Sequence, residues 1–598
     1  MRVHKGKALL AGIAAIALGL TACSSSGGGG NSNSSGTTKT GGGSSSSNNN
    51  ADATAGTKGT GSLKDCATNP NGCNKGDAKP GGTLTYVLEK TLAGWNQIYT
   101  PSNVFEIAEV EDGLLPGAFL AGSDLKPFLN TDLMVSAEQT KTDPQTLVYK
   151  INPKAVWDDG TPINFDDFKY LKDASDGTTC PAAKCQPSST SGYDAIASMA
   201  GSDGGKTVTV VMKTPFADWQ SMFGALLPAH IAKQHGGVTG ASIAKSWLWF
   251  DKTQPTWSGG PMKISKYVKD TSITEVPNPQ WYGKTKSKLD KLVFQIITDQ
   301  SQEPTALQNH EVNAIYPQPN ADLVNQVGQI QNISTYLGKG LVWEHFDFNE
   351  KNKFLKDQVL REAIFTAISR KDIIARTVGQ YVPGAAPLGN HMYVPGQPGY
   401  QDNYKDTKQG TGDVAAAKTL LTNAGYTGVG SALKTKDGQA VTFRCTYSAG
   451  NANRKTECTV AQNTLKQLGI DVTLKTTQDL SELGNGNFDM IVFAWVGTPF
   501  VVAGAQQIYT LKGGADYGFN NDPAAEAKIK QAATATDPAQ VQQLLNDADK
   551  LLAKDAYSLP LYQKPTFLAM DNNLVNLRDN ATASGPPVNV QEWGQKAS

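Results

Sequence analysis

The sequence predicts an α/β fold of more than one lobe, and two observations carry that reading. Residues 413–474 alternate helical and strand patterns in a βαβ-like rhythm, as a sheet covered by helices does. Residues 81–598 leave 518 positions for folding, enough for two or three lobes.

The elements follow in chain order. Gly82-Thr83-Leu84-Thr85-Tyr86-Val87-Leu88 alternates apolar and polar positions, the pattern of a half-buried strand. A second strand fits Thr146 to Ile151. It leads into the turn cluster Trp157-Asp158-Asp159-Gly160-Thr161-Pro162 and a short helix opened by Asn164 that carries Phe168 and Leu171. Thr207 to Met212 is rich in β-branched residues, and Lys291 to Ile297 sets Leu292, Phe294 and Ile296 on one face. Asp413 caps a helix striped by Val414, Ala417, Leu420, Leu421 and Ala424, with Gly425 just past its end. A strand over Val441 to Tyr447 follows. Next come a helix holding Val460, Leu465 and Leu468, stopped by Gly469, and a strand with Ile470, Val472 and Leu474 alternating. The last helix runs from Asp537-Pro538 through Leu552 and turns Val541, Leu544, Leu545, Ala548 and Leu551 inward. No internal repeat of short period is visible.

Ahead of the fold lies an export signal. Arg2, Lys5 and Lys7 precede an apolar run from Ala8 to Leu20, too short to span a bilayer as a mature helix. It ends in Leu20-Thr21-Ala22-Cys23, the Leu-x-Ala-Cys pattern of bacterial lipoprotein signals, in which Cys23 takes the lipid and becomes the new N-terminus. The competing reading is a plain secretory signal with an incidental cysteine. Acyl chains contribute about 0.8 kcal/mol per buried methylene, so several hold a protein stably at the outer face of a cytoplasmic membrane. Residues 23–80 are Gly, Ser, Asn and Thr with almost no apolar side chain, which predicts a flexible tether reaching about 40 Å.

Composition narrows the partners. The chain carries 54 basic and 54 acidic residues, and loss of Arg2, Lys5 and Lys7 with the signal leaves a net charge of −3. That balance gives no support for a nucleic-acid partner. No apolar run after Gly81 is long enough to cross a membrane, so the membrane is met through the lipid alone. Apart from Cys23 the cysteines fall in three local pairs, Cys66 with Cys73, Cys180 with Cys185 and Cys445 with Cys458. Adjacency favours these short loops among the connectivities that six cysteines allow. Metal ligation competes, but there is no CxxC and no histidine within a few residues of any cysteine. No cofactor or metal is expected.

The ordered phrases of the chain then become informative. Leu147 to Tyr170, with Trp157, Asp159-Gly160-Thr161-Pro162 and Asp166-Asp167, resembles the W-x-D-G-x-P signature of the family 5 extracellular solute-binding proteins, the peptide- and nickel-type receptors of ABC importers. Leu227-Pro228-Ala229-His230-Ile231 is similar to that family's L-P-x-H-I segment, Trp257 to Met262 to its G-T-G-P-Y segment, and Asn278 to Tyr282 to N-P-x-Y-W. Phe348-Asn349 with Arg361 to Arg370, Asp489 to Trp495, and Leu559-Pro560-Leu561-Tyr562 complete the series over nearly all of residues 82–570. Four positions depart: Met262 and Ser369 replace the family's Tyr and Asp, and Ser258-Gly259 its Gly-Thr.

The resemblance implies a periplasmic-binding-protein-like type II fold, two lobes joined by a hinge, with an extra β-rich domain on the first lobe. The expected divisions are 1–22 for the signal, 23–80 for the tether, 81–268 for the first lobe with its insert, 269–487 for the second lobe and 488–598 for the return. The crossovers are expected near Lys266 to Glu275 and Asn487 to Trp495. Ligand binds between lobes that close by hinge bending. The implied partners are a peptide or small-molecule ligand and ABC permease subunits, met by a lipid-anchored monomer.

The resemblance also points to ligand contacts. Trp495 and Phe500 lie on or after the strand whose following loop faces the family's cleft, and Thr498 stands where peptide-binding relatives carry an Asp for the ligand's α-ammonium. A hydroxyl supplies no counter-charge, so either another carboxylate holds an amine or the ligand has none. Tyr447 and Asn451 follow a strand where cleft loops occur, although Asn451 also suits a plain turn. Trp343 fits a cleft wall or the core equally well, and the acid pair Asp158-Asp159 reads as a tight turn.

An enzyme is disfavoured: there is no G-x-S-x-G, H-E-x-x-H or P-loop, and His230 and His235 are five apart. Six histidines, one of them in the signal, offer little for a dedicated metal cage, although a metal-chelate or other small-molecule receptor of this fold stays open. So does a sensor that hands ligand to a signalling receptor.

Overall fold

A ten-stranded mixed sheet organises the molecule. The computed structural model describes residues 63–478, 481–511, 513–520 and 522–597, so Cys23, the signal and the tether up to residue 62 lie outside the described residues.

Strand β1 (Thr83–Leu88) forms where the alternation predicts it, with Leu84, Tyr86 and Leu88 buried on one face. A short hairpin follows, β2 (Phe119–Ala121) and β3 (Pro127–Leu129). The strands β4 (Met134–Thr142), β5 (Gln145–Ile151), β6 (Ile196–Ser202) and β7 (Thr207–Met212) make a separate antiparallel sheet in the order β4-β5-β7-β6, the expected β-rich insert. Its helix Phe165–Ser175 is opened by Asn164 in a capping box with Asp167.

The large sheet is completed by β8 (Met262–Val268), β9 (Ser272–Pro277), β10 (Lys291–Ile296), β11 (Ala314–Ile315), β12 (Ile333–Phe348), β13 (Thr442–Ser448), β14 (Asp471–Thr477), β15 (Met490–Trp495) and β16 (Ser558–Asp571). Its order is β14-β13-β15-β12-β16-β11-β1-β10-β9-β8. Two parallel patches stand apart in it. In one, β1 runs parallel to β10 and β11; in the other, β13 runs parallel to β14 and β15.

Between them the antiparallel pair β12 and β16 belongs to both. The first part of β12 pairs with the end of β16 (Ile333↔Asp571 to Lys339↔Pro565), and β16 continues to β11. The last part of β12 pairs with the start of β16 (Trp343↔Gln563 to Asp347↔Ser558) and with β15. The register shifts between Lys339 and Trp343 and again between Glu344 and His345. Lys266 to Glu275, one of the two expected crossovers, turns back on itself as the β8–β9 hairpin, with Asp270 at φ 54°, and Asn487 to Trp495, the other, leads into β15.

The tether boundary also moves. Leu63 to Pro80 is attached to the folded body, because the apolar Leu63 and the Cys66–Cys73 clip are buried and residues 574–596 satisfy its backbone. Arg578 Nε donates to the Cys73 carbonyl at 2.7 Å, and Asn74 Nδ2 to that of Leu577 at 2.8 Å. All three local cysteine pairs are disulfides, and Cys445–Cys458 lies fully buried between β13 and the helix Ala452–Lys466. No helix among the described residues is long and apolar enough to cross a membrane.

Candidate functional site

In α/β sheets the crevice outside the carboxyl ends of parallel strands is where ligands bind, because the connections diverge there and leave backbone and side-chain groups uncovered. This molecule has two such ends. Past β1, β10 and β11 come Glu89-Lys90, Thr298 to Gln300 and Tyr316 to Gln318; past β13 and β15 come Ala449 to Asn451 and Val496 to Phe500. The two sets meet beside the β12–β16 pair. Gln318 Oε1 accepts from Asn451 Nδ2 at 3.3 Å and from Lys564 Nζ at 2.7 Å, while Asn453 Nδ2 donates to the Pro319 carbonyl at 2.9 Å.

Next to this contact lies a buried ion network, reached through Lys564. Glu344 of β12 is fully buried, with Oε1 2.7 Å from Arg454 Nε and Oε2 3.2 Å from Lys564 Nζ. Burial alone would raise its pKa, but the two cations outweigh burial and hold it down at about 2. Arg454 also donates to Ser448 Oγ at 2.8 Å. Beside it Tyr562 donates to Glu457, whose carboxyl burial and the Glu344 charge lift to about 8.

Trp495 is partly exposed at the end of β15. Its ring stacks on Tyr517 at 5.6 Å and on His345 at 6.1 Å, and meets Phe493 edge-on. Thr498 and Phe500 continue that segment, both partly buried, and the Phe500 amide donates to Thr498 Oγ1 at 3.2 Å. Asn451 does two jobs at once: its Oδ1 accepts from the Arg454 amide at 3.0 Å as a helix cap while its Nδ2 reaches Gln318. Trp343 and Tyr447 stand differently. Trp343 is 4% exposed, opposite Trp495 in register, and packed with Leu341, Leu388 and Val394; Tyr447 is 9% exposed within the second lobe's core.

Sequence reasoning missed Glu89, Gln318, Glu344, Arg454 and Lys564. The available sign was charge on apolar faces: Glu344 sits inside the aromatic run Trp343 to Phe348, and Arg454 and Glu457 share a buried helix face three residues apart. The turn reading of Asp158 and Asp159 agrees with the geometry. The Thr161 amide donates to Asp159 at 2.8 Å, and Asp158 accepts from the Ser258 amide at 3.0 Å. His230 pairs with Asp159 at 2.9 Å, its ring 6.5 Å from that of Trp157.

Residues 129–517 match the family model "Bacterial extracellular solute-binding proteins, family 5 Middle". The oligopeptide-binding protein OppA of Mycobacterium tuberculosis is 32% identical over 511 residues, which cover 83% of this chain and 82% of that protein. The solved periplasmic EDTA-binding protein EppA is 34% identical, with a TM-score of 0.81 over 88% of this chain and 99% of its own. The oligopeptide-binding protein AppA of Bacillus subtilis, solved with a nonapeptide, shares the fold at 21% identity, with a TM-score of 0.75 over 87% of this chain and 100% of its own. The two-lobe type II architecture expected from the motifs is thus the observed one, and the family matched is one of binding proteins, not of enzymes. This chain belongs to the bacterial extracellular solute-binding proteins, family 5.

Proposed function

We propose that the protein is a lipid-anchored receptor that captures oligopeptides between its lobes and, as a monomer, delivers them closed to an ABC permease. The observation that carries this reading is the meeting of two sets of strand ends beside the β12–β16 pair, with Trp495 and Tyr517 stacked at one side. Exposed backbone at strand ends takes an extended peptide by strand-like hydrogen bonds, and flat aromatic rings tolerate varied side chains.

A second reading has a specific observation in its favour, since EppA is described as binding EDTA. A polyanionic chelate needs free cations. Lys90 is paired with Glu106, and both Arg454 and Lys564 are paired with Glu344, which disfavours such a ligand here.

The test is native and denaturing mass spectrometry of the full-length protein extracted in mild detergent. A ladder of mixed peptides supports the reading; a single non-peptide mass overturns the substrate class.

Two variants probe the parts. Trp495→Ala is expected to remove most of the ligand-induced change in tryptophan fluorescence while costing less than about 2 kcal/mol of stability; a loss of about 3–5 kcal/mol, the range for a core aromatic, would assign it to packing. Cys23→Ala is expected to shift the protein from the membrane fraction to the soluble fraction. Retention on the membrane would refute the lipid anchor.

A further inference from the structure

The wall of the crevice supplied by the first lobe has more buried acid than base. Glu89 leaves β1 with Oε1 accepting from Gln300 Nε2 at 2.7 Å and Oε2 from the Gln318 amide at 3.0 Å. Behind it stand Glu106 and Glu109 on the helix Phe105–Asp112, and Glu303 at the start of the helix Glu303–Gln308. Lys90 is the cation acting on Glu89 and Glu109, and it is spent on one oxygen of Glu106.

Two of these carboxylates are left incomplete. Glu303 is fully buried and neither of its oxygens has a hydrogen-bond partner, and the Glu89 charge nearby acts on it. Glu106 is 2% exposed and its Oε2 also has no partner. A buried carboxylate without a donor is costly, and a group that brings positive charge and N–H donors relieves that cost. At rest a proton serves instead: burial raises Glu303 and Glu109 well above the carboxylate range and raises Glu89 against the pull of Lys90.

Building on the peptide-receptor reading, we propose that Glu89, with Glu106 and Glu303 behind it, receives an alkylammonium or guanidinium group of the ligand. The acids do not gather like a metal cage. Among the described residues, the one group of three or more metal-ligating side chains whose donor atoms lie within 4.8 Å of one another is Asp65 with the disulfide-bonded Cys66 and Cys73. An organic cation suits the spread arrangement better, because its several N–H donors reach separate oxygens. The site also answers the loss of the carboxylate at Thr498: the counter-charge stands on the opposite lobe, next to Gln318 and hence to the closing contact with Asn451.

The probes are four pentapeptides that carry Lys or norleucine at the centre and a free or acetylated N-terminus, titrated calorimetrically into the full-length protein. The three peptides with a cationic group are expected to bind about tenfold tighter than acetylated norleucine peptide, and the order among them shows whether side chain or terminus fills the site. Glu303→Gln and Glu89→Gln, which keep shape and remove charge, are each expected to shrink that ratio at least about threefold with unchanged circular dichroism. Equal binding of all four peptides would overturn this inference and leave the peptide receptor standing. An unchanged ratio in both variants would overturn the assignment of these residues. Binding of none of the four would remove both readings.

Discussion

Arg454→Met is expected to destabilise the protein by about 3–5 kcal/mol, the cost of leaving a buried charge without its main partner. Glu344 sits in β12, fully buried, and Arg454 supplies its shorter ion pair. Lys564 remains, but at 3.2 Å it serves one oxygen and is shared with Gln318. The loss would be read as a drop in the denaturation midpoint at neutral pH. Glu344→Gln in the same chain removes the stranded charge and is expected to recover most of it, since replacing both members of a buried pair costs far less than removing one. A loss below about 1 kcal/mol for Arg454→Met would show that Lys564 alone supports Glu344. Because β12, β16 and the helix Ala452–Lys466 converge on this network, the same change should loosen the packing that sets the two sets of strand ends against each other.

The contrast between β1 and β12 shows what local sequence holds and what it does not. β1 alternates cleanly, and its buried face is the one the pattern indicates. The helices at Val414–Asn423 and Pro538–Asp555 carry their caps in the letters: Asp413 accepts from the Ala416 amide and Asp537 from the Ala539 amide. β12 is interrupted by Gly338, Lys339 and Gly340, and β16 contains Pro560 and Pro565, so neither reads as a long central strand. Tertiary pairing overrides both breaks, because each strand has partners from two lobes. The site divides in the same way. Asn451 is legible as a cap, and its second bond to Gln318 is not, since the two are 133 residues apart. The Glu344–Arg454 pair spans 110 residues and leaves only charged letters in apolar runs. Trp343 offered no local reason to prefer cleft or core; register with Trp495 puts it in a packed cluster.

Acidification from pH 8 to about 6 is expected to raise the thermal midpoint, the reverse of what a surface of ion pairs would give. The cause is a set of carboxyls that burial lifts above their ordinary range: Glu111 to about 8, Glu457 to about 8 and Asp167 to about 6. In the unfolded chain such groups titrate near pH 4, so between there and their folded values the native state binds protons that the unfolded state does not. Stability therefore falls as pH rises through that window. Glu344 works in the opposite sense. Its folded value of about 2 lies below the unfolded one, so its contribution is present above about pH 4 and is lost as pH drops toward 2. The two trends place the stability maximum near pH 4, well on the acid side of neutral. Thermal melts followed by far-ultraviolet circular dichroism at one-unit steps from pH 8 to 4 measure the slope directly. Glu457→Gln keeps the contact to Tyr562 without a titrating proton and should flatten the upper part of the curve. A midpoint higher at pH 8 than at pH 6 would mean that these acids are ionised in the fold, which burial at this depth opposes.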